Sequence, residues 1–293
     1  MGFDVEFLRA LERLSHLARR LGRACVPRRR PPPRRQAASG EFRDRRPYTA
    51  GDECRYVDWP AYGRFGRLLV KLFEADEARD VWILVDASAS MGSGPNYRKL
   101  TWARRTAAAV AVLASAHHDR VGAASFADGL VAELVPRAGR GAVSRVLALL
   151  ADLEARGPSE PAKAASELLS RRRRVRRALA VLITDGLWPC DPSRPLSLLG
   201  AAGLDLVVLH GIEPEDRSPP IEGALEIVDA ETGRSRMASV DEALLEAYRR
   251  AFDAHQAAMA VACTRTGAAY VAARTDAPVE AALLDILRAG GLG

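Results

Sequence analysis

VWILVDASASM, residues 81–91, is the stretch of this sequence that decides its fold. Its first five residues are apolar, and the run ends abruptly in polar residues. A short apolar run of this kind predicts a parallel strand that is buried on both faces. Asp86, Ser88 and Ser90 follow at alternating positions on the loop that leaves the strand. One carboxylate and two hydroxyls in this spacing predict three oxygen donors that point the same way.

Strand and helix patterns alternate on the C-terminal side of this stretch. Apolar runs predict strands at residues 121–126, 130–135, 179–184, 204–209, 225–228 and 269–273. Helical spacing of apolar residues predicts helices at 98–117, 140–155, 160–172, 240–264 and 278–289. The first two of these strands are separated by a short turn, which predicts a hairpin at a sheet edge. The alternation predicts an α/β fold with a doubly wound, mostly parallel sheet, in which ligands bind at the carboxyl ends of the strands.

Two further polar residues are placed to join Asp86. Asp185 follows the strand pattern that ends at Thr184, and Gly186 eases the turn after it. Ser159 stands before a predicted helix, where its hydroxyl either caps the helix or serves as an oxygen donor. Taken alone, each piece is typical of a turn or a cap. Together they predict a site for Mg²⁺ or Mn²⁺, because these ions prefer oxygen ligands.

The N-terminal part carries the excess positive charge of the chain. The formal net charge is +6, and residues 1–50 contain thirteen Arg against five Asp plus Glu. Residues 3–24 have the pattern of an amphipathic helix, which would pack on the domain or lie on a partner or membrane surface. The tract RRRPPPRR at residues 28–35 predicts an extended linker. Nucleic-acid binding through this tract and through RRRRVRR at 171–177 is an alternative function, but no aromatic residues alternate with the arginines to stack on bases, and we expect no nucleic-acid partner.

The composition excludes several classes of protein. Of the 293 residues, 48% are hydrophobic and 27% are charged, as in globular proteins with a sizeable core. No apolar run is long enough to cross a bilayer, and the N-terminus lacks the apolar core of a signal peptide. The four cysteines form no CxxC pair, so we expect buried thiols in a reducing compartment and a cytoplasmic location.

The sequence lacks the common catalytic motifs. It contains no GxxxxGK[ST] phosphate-binding loop, no GxSxG nucleophile motif and no HExxH metal motif. We therefore expect that the chain is not an enzyme. The alternative is a metal-dependent phosphohydrolase that uses Asp86 and Asp185. Such chemistry usually needs further acids, or a lysine and a nucleophile, around the ion.

The five candidate ligands resemble a known metal site. Asp86, Ser88 and Ser90, with Ser159 and Asp185, resemble the metal-ion-dependent adhesion site of von Willebrand factor A domains. The family motif has Thr where this chain has Ser159. The resemblance implies a protein-binding module rather than an enzyme, in which Mg²⁺ or Mn²⁺ keeps a coordination position open for an Asp or Glu of a partner.

A second resemblance covers nearly the whole chain. The stretch at residues 40–91 is similar to the signature of the bacterial family called domain of unknown function 58, and the pattern VDAETG at 228–233 fits the same family. The matching residues of the first stretch are Glu41, Phe42, Arg46, Tyr48, Gly51, Asp52, Arg55, Asp58, Trp59, Arg64 and Glu74. This resemblance implies a short soluble member that acts with a MoxR-type AAA+ ATPase as a chaperone-like or assembly factor.

Residues 40–80 mix arginines with acids and aromatic residues. This composition fits an ion-paired extension that packs against the domain, or a partner surface of the kind that interface hot spots use. The partner surface would consist of Arg46, Tyr48, Asp52, Arg55, Asp58, Trp59 and Arg64. The predicted organisation is a helix and basic linker at 1–39, this extension at 40–80, and a von Willebrand factor A-like domain at 81–293.

Overall fold

A computed structural model describes residues 3–21, 41–49, 52, 54, 57–74, 78–94, 98–171 and 178–289 of the chain. The chain divides into two units, a large one formed by Met1–Arg28 with Arg79–Gly293 and a small one formed by Arg29–Ala78. The predicted linker at 28–35 and all but the first residue of the basic run at 171–177 lie outside the described residues. The predicted boundaries at 39/40 and 80/81 stay predictions.

The elements are numbered along the chain. The helices are α1 (Val5–Leu21), α2 (Trp59–Phe65), α3 (Arg98–Ala116), α4 (Arg140–Ala151), α5 (Pro161–Ser170), α6 (Ser193–Ala201), α7 (Pro214–Arg217), α8 (Glu242–Thr266) and α9 (Val279–Arg288). The strands are β1 (Glu41–Pro47), β2 (Leu69–Glu74), β3 (Asp80–Asp86), β4 (Arg120–Phe126), β5 (Leu130–Arg137), β6 (Ala178–Thr184), β7 (Leu204–Ile212), β8 (Gly223–Val228), β9 (Ser235–Val240) and β10 (Ala269–Arg274).

The large unit is built on a six-stranded sheet with the order β10-β7-β6-β3-β4-β5. All neighbouring strands are parallel except β4 and β5, which form the predicted antiparallel hairpin at the sheet edge. Residues along β3 alternate between two apolar layers. Ile83 and Val85 pack with α1, α3, α4 and α9, whereas Trp82 and Leu84 pack with α5, α6 and α8. Helices cover both faces, so the doubly wound, mostly parallel fold is confirmed.

The strand order creates a crevice at one edge of the sheet. β3 pairs with β4 on one side and with β6 on the other. The chain leaves β3 through α3, which packs on one face, and leaves β6 through α6, which packs on the opposite face. The carboxyl ends of β3 and β6 therefore form the topological switch point at which doubly wound sheets bind ligands. Asp86 and Asp185 lie there.

Helix α1 packs on the large unit. Leu11 is 5% exposed and belongs to the same apolar layer as α3. The guanidinium of Arg105 on α3 lies 5.4 Å from the ring centre of Phe7, and Arg105 also forms an ion pair with Asp4. Of the placements that the sequence left open, the structure shows packing against the domain.

The small unit pairs β1 with β2 in an antiparallel ladder that contains a bulge near Asp44. Its short helix α2 begins after Asp58 and ends at Gly66, whose positive φ of 64° suits a residue without a side chain. Val57, Ala61 and Val70 are buried in this unit.

The structure bears on two expectations drawn from the composition: that the thiols are buried and that no segment spans a membrane. Cys263 is a buried free thiol as expected, but Cys54 is exposed, so the expectation that the thiols are buried is wrong for Cys54. Cys54 lies in a turn in which its carbonyl accepts from Val57 N, and such connecting segments run over the surface. Cys190 is half-buried, and Cys25 lies outside the described residues. Within the part of the chain that the structure describes, no helix has the length and apolar character needed to span a membrane.

Candidate functional site

Three backbone hydrogen bonds bring separate loops together at the switch point. Ala87 N donates to Phe126 O at 2.7 Å, which fixes the loop after β3 against the end of β4. Ala89 N donates to Gly157 O, and Arg156 N donates to Ala87 O, both at 2.8 Å. The loop that carries Ser159 is therefore held beside the loop that carries Ser88 and Ser90.

Asp86 is the centre of the resulting cluster. Its side chain is fully buried, and its Oδ1 accepts a hydrogen bond from Ser88 N at 3.0 Å. Its Oδ2 accepts from Thr184 Oγ1 at 2.8 Å and from Ser159 Oγ at 3.2 Å. Trp188 Nε1 also donates a hydrogen bond to Oδ2, at 3.3 Å. Four hydrogen-bond donors fix the carboxylate in one orientation.

The remaining predicted hydroxyls complete the cluster. Ser88 Oγ and Ser90 Oγ are 3.0 Å apart, and both residues are buried. Ser159 is also buried, and its hydroxyl contacts Asp86 instead of capping α5, whose first flanking residue, Glu160, makes no side-chain cap. Of the two roles that the sequence left open for Ser159, the structure therefore shows a place in the cluster.

Negative charge accumulates in the cluster around Asp86. Burial, followed by repulsion from Asp185, raises the pKa of Asp86 from its ordinary value of 3.8 to about 6. The two carboxylates lie close enough to repel each other, and the ionised form of Asp86 is destabilised.

Asp185 has a basic partner that the sequence did not reveal. Lys99 on α3 is 1% exposed, and its Nζ lies 3.1 Å from Asp185 Oδ2 and 3.4 Å from Asp216. Burial acts to lower the pKa of Lys99, but attraction by Asp185 and Asp216 outweighs this effect and raises it. The ammonium remains charged and compensates part of the negative charge of Asp185 and Asp216.

A glutamate also reaches the site from the turn between β8 and β9. Glu231 Oε2 accepts a hydrogen bond from Ser159 N at 3.1 Å, and the Ser90 side chain lies near the same carboxylate. The sequence does not reveal this role of Glu231, although VDAETG at 228–233 fits the family pattern. Thr184, Trp188 and Lys99 were missed as well, because only the arrangement of the strands places them beside Asp86 or Asp185.

The cluster presents oxygen atoms alone as potential ligands. Asp86, Ser88, Ser90, Ser159 and Asp185 are the residues that could hold a hard divalent cation. Within the described ranges, no three His, Cys, Asp or Glu side chains form a group that could hold a metal. A cation at this place would therefore depend on the serine hydroxyls.

The residues of the predicted partner surface lie in the small unit and differ in what they contact. Asp58 is buried, accepts from Ala61 N at 3.1 Å and pairs with Arg45 Nε at 2.7 Å, so its carboxylate is engaged within that unit. Asp52 accepts from the Thr49 backbone.

The other members of that surface are more accessible where the structure describes them. Trp59 is 59% exposed, Arg64 is exposed, and Tyr48 is half-buried. Arg55 and the side chain of Arg46 lie outside the described residues. The partner surface stays a prediction.

Comparison with known proteins identifies relatives of the chain. The uncharacterized protein Rv1480 of Mycobacterium tuberculosis is 34% identical over 236 residues, which cover 78% of this chain and 73% of Rv1480. Uncharacterized protein Mb1516 of Mycobacterium bovis gives the same values. Among solved structures, the conserved hypothetical protein BatB from Bacteroides thetaiotaomicron aligns with a TM-score of 0.45 and 16% identity, over 71% of this chain and 95% of BatB. The VWA domain of SpRpn10 aligns with a TM-score of 0.42 and 13% identity, over 74% and 100% of the two chains.

A family model settles the relationship that the sequence suggested. The model described as "Protein of unknown function DUF58" matches residues 44–258, which include Asp86, Ser159, Asp185 and Glu231. This match spans most of the chain and contains the whole cluster around Asp86. The chain belongs to the DUF58 family.

Proposed function

We propose that this chain is a protein-binding module whose binding depends on Mg²⁺ or Mn²⁺ at the carboxyl ends of β3 and β6. The observation that carries the proposal is the buried, all-oxygen cluster around Asp86. Its members come from the ends of two strands and from the loop before α5, so folding alone assembles them. Hard divalent cations prefer oxygen donors of this kind.

The charge of the cluster around Asp86 supports the same proposal. Asp86 and Asp185 are both buried and repel each other, and Lys99 supplies one positive charge nearby. A divalent cation would remove the electrostatic cost that raises the pKa of Asp86. Asp86, Ser88 and Ser90, with Ser159 and Asp185, would hold the ion. The chemistry that the ion supplies is an open coordination position that accepts a carboxylate oxygen.

The proposed partner is a protein that offers an Asp or Glu to this position. The family resemblance supports a MoxR-type AAA+ ATPase as that partner, with the chain acting as a chaperone-like or assembly factor. We propose separately that exposed residues of the small unit, Trp59 and Arg64 among them, contact a partner protein. Binding of the purified ATPase should be lost in EDTA and restored by Mg²⁺; equal binding in both buffers would contradict the metal dependence.

Calorimetric titration with Mg²⁺ and Mn²⁺ tests the metal site itself. We expect saturable binding to the wild type, loss of binding in Asp86→Ala, and unchanged binding in the matched control Asp128→Ala, since Asp128 is exposed. At a free metal concentration of about 100 times Kd, the folded state should gain about 2.7 kcal/mol. Equal binding by the wild type and Asp86→Ala, or no binding by the wild type, would overturn the proposal.

One observation favours a second candidate, the metal-dependent phosphohydrolase. Such chemistry usually needs further acids, or a lysine and a nucleophile, around the metal ion. The structure has a lysine there, because Lys99 lies next to Asp185. The ammonium of Lys99 is already engaged by Asp185 and Asp216, however, which makes it a poor phosphate ligand. Hydrolysis of p-nitrophenyl phosphate that requires Mg²⁺ and disappears in Asp86→Asn would favour this candidate over the binding module.

A further inference from the structure

The turn between β8 and β9 is closed by four hydrogen bonds of Asp229, although the strands around it are mostly exposed. Asp229 Oδ1 accepts hydrogen bonds from Glu231 N at 2.8 Å and from Thr232 N at 3.1 Å. Asp229 N also donates to Arg234 O, and Asp229 O accepts from Gly233 N, each at 2.8 Å. Gly233 has a φ of +69°, which only a residue without a side chain adopts easily. The turn therefore holds Glu231 at a fixed place.

From that place, the carboxylate of Glu231 extends into the cluster around Asp86. Its Oε2 accepts a hydrogen bond from Ser159 N, and the carboxylate lies near the Ser90 side chain, so it reaches two of the five candidate metal ligands. Its Oε1 is buried and has no hydrogen-bond partner among the described residues. One carboxylate oxygen is thus withdrawn from water and left with free lone pairs beside the site.

This arrangement is electrostatically unfavourable unless a cation is present. The negative charges of Glu231 and Asp185 are close enough to repel each other. Glu231 Oε2 has Ser159 N as its partner, but burying Oε1 without a partner costs free energy. A divalent cation between these oxygen atoms would supply the missing partner.

We propose that Glu231 closes onto a cation bound at this cluster, as a ligand that the chain itself supplies, and that it occupies the position that a partner's carboxylate takes. The inference rests on the proposed metal-dependent function and adds a regulatory step to it. A partner's Asp or Glu must replace Glu231, so the β8–β9 hairpin has to leave the site before the partner binds. The chain would then be closed to weak carboxylates in its resting state.

The alternative is that Glu231 merely accepts the hydrogen bond of Ser159 N. In that case, Gln at this position would serve as well, because its side-chain carbonyl accepts the same bond. A metal ligand behaves differently, since the change from Glu to Gln removes the negative charge that attracts the cation. The two roles predict different Mn²⁺ affinities for Glu231→Gln: unchanged if Glu231 only accepts the hydrogen bond, and weaker if it is a ligand.

Mn²⁺ is the probe, because it binds like Mg²⁺ and enhances the relaxation of the water protons that it coordinates. We compare the wild type, Glu231→Ala, Glu231→Gln and the matched control Glu226→Gln, which removes an exposed charge from the same hairpin. Both Glu231 variants should bind Mn²⁺ at least about ten-fold more weakly, the loss that even outer-shell partners of a metal commonly produce. The Mn²⁺ bound to Glu231→Ala should also relax water more strongly, because water replaces the lost ligand.

Acetate then serves as a free carboxylate. Added to saturated protein, it should lower the water relaxation of Mn²⁺ bound to Glu231→Ala at concentrations that leave the wild type and Glu226→Gln unchanged. In the wild type, Mn²⁺ should also slow amide hydrogen exchange across residues 223–240, and Glu231→Ala should abolish this protection.

The outcomes separate the two proposals. If the wild type binds Mn²⁺ and the Glu231 variants match it in affinity, water relaxation and acetate response, the metal site stands and the role of Glu231 is refuted. If the wild type binds no Mn²⁺, the proposed function fails and this inference fails with it.

Discussion

Replacement of Lys99 by Met should be among the most destabilising substitutions in the chain. The Nζ of Lys99 lies 3.1 Å from Asp185 and 3.4 Å from Asp216, and its side chain is 1% exposed. Met has a similar length but carries no charge. The substitution therefore leaves Asp185, which is also buried, without its cation.

The magnitude follows from the distance and the burial. At an effective dielectric constant of about 20, two unit charges 3.1 Å apart attract each other by roughly 5 kcal/mol. Desolvation of the ammonium offsets part of this attraction in the wild type. The variant keeps the desolvated carboxylate and loses the compensation, and removal of one member of a buried pair typically costs about 3–5 kcal/mol. We predict a loss of that size in the free energy of unfolding.

Urea unfolding in EDTA measures the effect without contribution from divalent metal. Lys163→Met is the matched control, because Lys163 is exposed, and it should change stability by less than about 0.5 kcal/mol. The double variant Lys99→Met/Asp185→Asn removes both charges of the buried pair. It should be more stable than Lys99→Met alone by about 2 kcal/mol or more, since no unpaired buried charge is left at Asp185 and the remaining acid, Asp216, is partly exposed and can be hydrated.

Two results would refute this reasoning. A loss below about 1 kcal/mol in Lys99→Met would mean that the ammonium contributes little to compensating the acids. A double variant no more stable than the single one would mean that the cost arises from packing and not from the uncompensated charge of Asp185.

The other predictions concern the turn after β6, the N-terminal helix and the thiols. Gly186 has a φ of +70°, and a Cβ there would lie 3.1 Å from Met259, so Gly186→Ala should cost more than the roughly 1–2 kcal/mol of backbone strain alone. Gly203→Ala, with a φ of +86° and open space around it, is the control in the same unfolding assay, and equal losses would refute the clash. Leu11→Ala should cost about 2–5 kcal/mol if α1 packs on α3 as described, and a change within experimental error would contradict that packing. In native protein treated with iodoacetamide, peptide mass spectrometry should find Cys54 modified well before Cys263, which is buried and whose pKa burial raises to about 11; similar rates would contradict this difference.

The sequence alone determined the fold class and the core of the candidate site. Apolar runs such as residues 81–85 predict buried strands because the spacing of their side chains is a local property of the chain. Asp86, Ser88 and Ser90 could be identified together because they lie within five residues of one another on a loop that follows such a strand. Asp185 could be added because it also follows a strand end, and parallel strands end at the same edge of a sheet.

Local pattern was less informative where elements are short or exposed. Helix α6 begins with a proline among its first residues, and β9 has no buried face that would show as an alternating pattern. Neither element was predicted. Their positions depend on what they pack against and not on their own composition.

Only the tertiary structure determined which distant residues complete the site. Lys99 meets Asp185 across 86 residues, Trp188 meets Asp86 across 102, and Glu231 meets Ser159 across 72. These contacts follow from the strand order and from the direction of one hairpin, which no local spacing encodes. The physical reason is that the chemistry of a residue is set by its side chain, whereas its charge balance is set by the neighbours that the whole fold brings to it.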